Sequence, residues 1–153
     1  MAEDVIRPFV ESACMVIEQV IQVRPNVART ADRPSAEAAD RFRVVVGFVG
    51  ELTGDVVLGL REEVALRLAS AMMGGWELSG LDDMGKSAIS ELGNMICGNA
   101  CVSLSNQGRS VNLEPPRLLS PGDAPEVPGQ QAYSAFLRVE SMGEIEIFVR
   151  LYA

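Results

Sequence analysis

Histidine is absent from the 153 residues, and that one absence removes much of the usual hydrolytic chemistry. Without an imidazole there is no Ser-His-Asp or Cys-His nucleophile system and little basis for a catalytic zinc site. Cysteine is scarce too. Cys14, Cys97 and Cys101 are three thiols with no histidine to complete a ligand set. They are expected to be reduced and buried, with no metal bound. Cys97 leans toward the apolar side of its segment and Cys101 borders the polar side. No Gly-rich phosphate loop of the Walker or dinucleotide type occurs, and no internal repeat stands out. No apolar run approaches the roughly 18 residues that would cross a bilayer, so no membrane span is expected. The Met-Ala-Glu-Asp start is acidic where a signal peptide would be basic, so the expected location is cytoplasmic. A formal charge of −8 with no basic patch argues against a nucleic-acid partner.

What is present is a globular composition, 48% hydrophobic and 22% charged, in a chain long enough for one domain with a real core. Residues 3 to 22 place Val5, Phe9, Ala13, Val16, Ile17, Val20 and Ile21 at helical spacing, with Pro8 tolerable only in the first turn. Residues 23 to 28 suggest a short strand, which Pro25 would confine to a sheet edge. A polar connection over residues 30 to 40 follows. Residues 42 to 51 and 56 to 60 read as a hairpin turning at Thr53-Gly54-Asp55. Gly47 and Gly50 inside its first strand suggest a bulge or close packing on a helix. Residues 62 to 73 form a helix with Val64, Ala65, Leu68, Ala69 and Met72 inward, closed by Gly74-Gly75. Trp76 falls in the next loop, where tryptophan more often plugs the end of a core than docks a partner.

The rest is organised around residues 83 to 107. Asp82 and Asp83 can cap a helix start, and Gly108 can end it. Ile89, Gly93, Ile96, Ala100 and Leu104 recur on one stripe that should face a core. The opposite stripe carries Ser87, Glu91, Asn94, Gly98 and Ser105, which puts a hydroxyl, a carboxylate and an amide one turn apart. Asn94 is a poor mid-helix residue, because its amide competes for backbone hydrogen bonds. Gly98 costs roughly 1 kcal/mol against alanine there, and its use could be to let another backbone come close. Downstream, residues 110 to 113 and 117 to 119 read as short strands around a proline-rich connection over 114 to 130, unusually long for a compact domain. Residues 132 to 139 and 144 to 152 read as a terminal hairpin turning at Met142-Gly143. In its second strand Ile145, Ile147, Val149 and Leu151 alternate toward a core. Phe148 and Tyr152 lie on the other face, which suggests an open edge that invites pairing. The order of elements predicts an α+β domain of two layers, with long helices packed on an antiparallel sheet.

The order Ser87-x-x-x-Glu91-x-x-Asn94, followed by Met95-Ile96-x-Gly98-Asn99-Ala100 and a later proline, resembles the signature of the CheC/CheX/FliY family of chemotaxis phosphatases. The match is closest to its one-motif CheX branch. Pro115 and Pro116 fall slightly short of the family spacing, which implies a slightly shorter loop. The first helix lacks a second copy of the motif, unlike the two-motif branches. The resemblance implies a single CheX-like domain over 1–153, the same two-layer architecture, and a homodimer joined through the sheet. It also implies that the partner is a phosphorylated CheY-like response regulator whose aspartyl phosphate is hydrolysed. In that reading Asn94 orients the attacking water, Glu91 pairs with a lysine of the regulator, Gly98 permits close approach and Ser87 borders the contact. The chain needs no cofactor of its own, because the regulator supplies the Mg²⁺. A site borrowed in this way fits a chain without histidine, since the work left is positioning. A non-catalytic CheX-like signalling or flagellar-switch adaptor is the alternative, which the presence of both Glu91 and Asn94 weighs against. A self-contained enzyme would need a nucleophile–base pair or metal set that is not visible. A purely structural dimerisation domain would leave the Glu91–Asn94 face unexplained.

Overall fold

The computed structural model describes residues 2–32, 40–123 and 131–152. Their elements run α1 (Ala2–Ile21), β1 (Asn26–Ala31), β2 (Phe42–Gly50), β3 (Gly54–Leu60), α2 (Glu62–Met72), α3 (Asp83–Asn106), β4 (Val111–Leu113), β5 (Arg117–Leu119), β6 (Gln131–Val139) and β7 (Gly143–Leu151). The strands form one seven-stranded sheet in the order β1-β6-β7-β3-β2-β4, with β5 also on β2. Every pairing is antiparallel. The predicted α+β architecture of helices on an antiparallel sheet is the one observed.

Alternation along the strands decides which face the helices cover. Val44, Val46 and Phe48 of β2, Val56, Leu58 and Leu60 of β3, and Ile145, Ile147, Val149 and Leu151 of β7 all join one core. That core includes Val5, Phe9, Ala13, Val16 and Ile17 of α1 and Val64, Ala65, Leu68 and Ala69 of α2. Phe9 stacks on Phe48, with ring centroids 5.8 Å apart. The other sheet face carries a small cluster of Val45, Val57 and Phe148 with Leu119 against it. Beside that cluster lie buried ion pairs. Arg150 donates to Asp55 through Nε at 2.7 Å and Nη2 at 3.0 Å, and the Tyr152 hydroxyl donates to the same carboxylate at 2.7 Å. Glu146 accepts from Ser134 Oγ at 2.6 Å and from Arg41 Nη1 at 3.1 Å.

Several expectations are corrected. β7 is not an open edge: it pairs with β6 on one side and β3 on the other, so both of its backbone rows are used. Phe148, Glu146 and Arg150 are buried on its second face. The β2–β3 turn lies at residues 51 to 53, two residues before the predicted one, because Gly54 and Asp55 already pair with Phe48 and Gly47. A side chain at 54 would run into the Arg150 carbonyl, and Asp55 is accommodated in a strand by its ion pair. Gly47 is explained by a strand connection and not by a helix, since a Cβ there would strike the Glu114 side chain. Pro8 lies in the second turn of α1, not the first. The Asp4 carbonyl thereby loses its helical donor, near enough to the helix start for the rest of the ladder to continue. The first strand begins at Asn26, immediately after Pro25, and takes the predicted edge position. Of the predicted connection, residues 33–39 lie outside the described residues, as do 124–130 of the proline-rich loop.

Candidate functional site

α3 is the helix on which everything else in the site depends, and both of its ends are fixed. Asp82 caps its start, its Oδ1 accepting from the Gly85 amide at 2.8 Å. At the other end Gly108 takes a positive φ of 81°, and the Arg109 amide donates back to the Leu104 carbonyl at 2.9 Å. With the Gly108 amide on Ser105, this closes a Schellman motif. Along its length Ile89, Leu92, Gly93, Ile96, Cys97, Ala100 and Leu104 are buried. Gly93 is where α3 lies tightest on the sheet, because a Cβ there would come within 2.7 Å of Val44 Cγ1. The predicted core stripe is therefore the buried one.

The far side of the helix presents the predicted site. Ser87 and Glu91 are exposed, and Asn94 and Gly98 are half-buried. At spacings of three and four residues the Cβ atoms of Ser87, Glu91 and Asn94 stand about 5–6 Å apart from one to the next. Neither the Glu91 carboxylate nor the Asn94 side-chain amide has a hydrogen-bond partner among the described residues. A carboxylate and an amide are thus held out one turn apart from a helix whose back is locked. At Gly98 a Cβ would meet nothing within 4 Å, so the fold itself has no need of glycine there.

Trp76 does not plug the core: it is 74% exposed. The loop that carries it is nevertheless tied down. Ser70 Oγ donates to the Trp76 carbonyl, and the Gly75 amide donates to the Ser70 carbonyl at 2.8 Å. The glycine pair after α2, with φ of 84° and 90°, turns the chain outward before Leu78 and Leu81 can fold back onto the first turn of α3 at Gly85. Three more apolar side chains on α3 escape the two-stripe reading. Met84 is 67% exposed, Met95 38% and Val102 60%. The signal for them lies in the spacing, since all three share the helical line of Glu91.

Cys14 and Cys97 are core residues as expected, whereas Cys101 is only half-buried. Burial pushes the Cys97 thiol far above its usual range, helped by Cys101 one turn on, and burial raises Cys101 and Cys14 as well. Protonated thiols are poor nucleophiles and poor ligands. Among the described residues, no three His, Cys, Asp or Glu side chains gather where they could hold a metal ion. No helix among them is long and apolar enough to cross a membrane.

Comparison with known proteins speaks to the family and the fold. Residues 42–137 match the family model described as "Chemotaxis phosphatase CheX". The chain is 31% identical over 119 residues to the CheY-P phosphatase CheX of Thermotoga maritima, covering 78% of this chain and 77% of that one. Its fold is similar to the chemotaxis protein CheX of Desulfovibrio desulfuricans, with a TM-score of 0.82 at 21% identity over 97% of this chain and 99% of the other. It is also similar to a chain of the CheX-CheY-BeF₃-Mg²⁺ complex from Borrelia burgdorferi, with a TM-score of 0.85 at 22% identity over 98% and 99%. The two-layer arrangement of helices on one antiparallel sheet is the architecture of a chemotaxis phosphatase domain. The chain belongs to the CheX family.

Proposed function

We propose that this chain is a phosphatase for the aspartyl phosphate of a CheY-like response regulator, acting in the cytoplasm as a single CheX-like domain. The observation that carries the reading is the pairing of exposed Glu91 with half-buried Asn94, one turn apart on a helix whose other side is fixed in the core. The similarity to a curated CheY-P phosphatase over three quarters of each chain supports it. So does the fold shared with a CheX bound to CheY in a beryllofluoride–Mg²⁺ complex.

An acyl phosphate is already activated, so what is missing is a water held in line with the phosphorus. Asn94 supplies one acceptor and two donors on a short stem, enough to hold such a water and a phosphoryl oxygen together. Half-burial limits its rotamers and makes that placement repeatable. Glu91, one turn earlier and exposed to solvent, is suited to pair with a lysine of the regulator and so set the register of the two proteins. Ser87 borders the contact, and Gly98 keeps the helix surface bare where the partner approaches. The two carboxylates of α3, Asp83 and Glu91, stand about 12 Å apart along the axis at ~1.5 Å per residue, too far to share a divalent ion. The Mg²⁺ is therefore assigned to the regulator, where it neutralises charge on the phosphoryl group. No residue of this chain needs to become covalently modified.

For assembly we infer a homodimer joined through the sheet. Its location differs from the one the sequence suggests, because β7 is interior. Among the described residues, the strands with a single neighbour are β1 at one end and β4 and β5, both on β2, at the other. The interface we infer is distinct from the Glu91–Asn94 face.

The test is direct. Response regulators from the same cell are charged with radiolabelled phosphate, and the loss of label is timed with and without this protein. Faster loss from at least one regulator is the expected result. Binding to a phosphorylated-like regulator without faster loss would favour the adaptor.

A further inference from the structure

The apolar side chains flanking Glu91 take no part in placing the water or holding the phosphoryl group. At ~100° per residue, Met84, Glu91, Met95 and Val102 fall within about 20° of one line along α3. Ser87, Asn94 and Gly98 form a parallel line roughly 60° round the helix. From Met84 to Val102 the line runs about 27 Å at ~1.5 Å per residue. All three apolar side chains on it are exposed, and Trp76 stands exposed in the tied loop just before the helix, two residues ahead of Leu78, which packs on Gly85. Scattered single apolar residues on a surface mean little, but three in line along one helix, with an exposed tryptophan in the loop just before it, mark an interaction site. Their chemistry suits that use, since tryptophan often anchors interfaces and methionine adapts to varied surfaces. The border of the patch is acidic, with Glu77, Asp82, Asp83 and Glu91 all exposed.

We propose that Met84, Met95 and Val102, headed by Trp76, form the part of the docking surface that selects which response regulator is bound. The occupant is the receiver domain itself. It would present an apolar patch beside its phosphorylation pocket, with basic side chains around that patch to meet the acidic border. This rests on the phosphatase reading for the position of the interface, because any partner seated on Glu91 and Asn94 must also cover this line. It assigns a different job to each line: Glu91 and Asn94 serve the reaction, and the apolar line sets which partner stays long enough to react.

The experiment uses the full chain and a Met84→Ser/Met95→Ser/Val102→Ser variant, with Trp76→Ala as a second variant. Each is titrated with beryllofluoride-loaded receiver domains from the same cell and then assayed on the phosphorylated forms. The expected result is binding weaker by about tenfold or more, with KM raised to match and kcat within about twofold. The spread of kcat/KM among receivers should narrow, and the melting temperature should hold, since these side chains are exposed. Wild-type affinity in both variants, or a fall in kcat with KM unchanged, would overturn the proposal. If the wild-type chain binds a loaded receiver but never speeds loss of label, the phosphatase reading fails while weaker binding by the variants still upholds the docking surface. If it binds no receiver at all, both fall.

Discussion

Gly93 and Gly98 sit little more than a turn apart on α3 and are there for different reasons. At Gly93 a methyl would press on Val44 of β2, so the glycine lets the helix lie close to the sheet. At Gly98 a methyl would meet only solvent. The same substitution should therefore have opposite effects on stability. Gly93→Ala is expected to destabilise by about 1–3 kcal/mol through overpacking. Gly98→Ala should stabilise by up to about 1 kcal/mol from helix propensity, while weakening capture of the regulator. Urea denaturation of both variants, with regulator binding for the second, checks this. A stability loss at Gly98 would mean that it serves the fold and not an interface. Residue type and spacing are enough to single out Glu91, Asn94 and Gly98 as candidates in the linear chain. Trp76 is not legible there, because a lone tryptophan in a loop is consistent with either burial or display. What turns it outward is the positive-φ glycine pair before it and the Ser70 tether, neither of which has a hydrophobic pattern to read.

At the scale of elements, α3 is the most legible part of the chain, because its cap, its stop and its core stripe agree with one another. Each has an expected cost. Asp82→Ala removes the acceptor for the Gly85 amide and should lower stability by about 0.5–2 kcal/mol. Ile96→Ala, at a 1% exposed core position, should cost roughly 2–5 kcal/mol. Thermal or chemical melts would check both, and neither variant should alter the rate once folded protein is matched. A rate loss in folded Ile96→Ala would mean that the back of the helix tunes the site. The strands are less legible at their ends. Hydrophobic alternation identifies the core face of β7, with Ile145, Ile147, Val149 and Leu151 all buried. It cannot reveal that the second face is buried too, because that depends on pairing charges distant in sequence. Arg150 with Asp55 and Arg41 with Glu146 make a polar layer that looks, in the linear chain, like an ordinary solvated face.

At the scale of the whole molecule, fold class follows from the order of elements, but the strand order does not. Local pattern says that β6 and β7 form a hairpin; it says nothing about β3 closing on the far side of β7. That long-range pairing turns an anticipated edge into the middle of the sheet. It leaves β1 at one end, and β4 with β5 at the other, as places where a second copy could add. β1 is partly blunted, since its register with β6 shifts between Val27 and Arg29. Light scattering at micromolar concentration should give the mass of a dimer, and a monomer would remove the homodimer from the account.

The central claim is that α3 lends a positioned amide to a regulator that brings the rest of the chemistry. It is tested most directly by comparing wild type with Asn94→Ala and Glu91→Ala in two measurements on the same samples: the dephosphorylation rate, and the affinity for a beryllofluoride-loaded regulator. If Asn94 only positions water, Asn94→Ala should lose most of the rate and keep nearly all of the affinity. Glu91→Ala should lose both, by up to a few kcal/mol in binding if its charge pair is dry and less if it stays wet. Both should melt like wild type, because substitutions away from the core usually stay within ~0.5 kcal/mol of neutral. An Asn94→Ala protein that dephosphorylates at the wild-type rate would contradict the mechanism and leave an adaptor in its place.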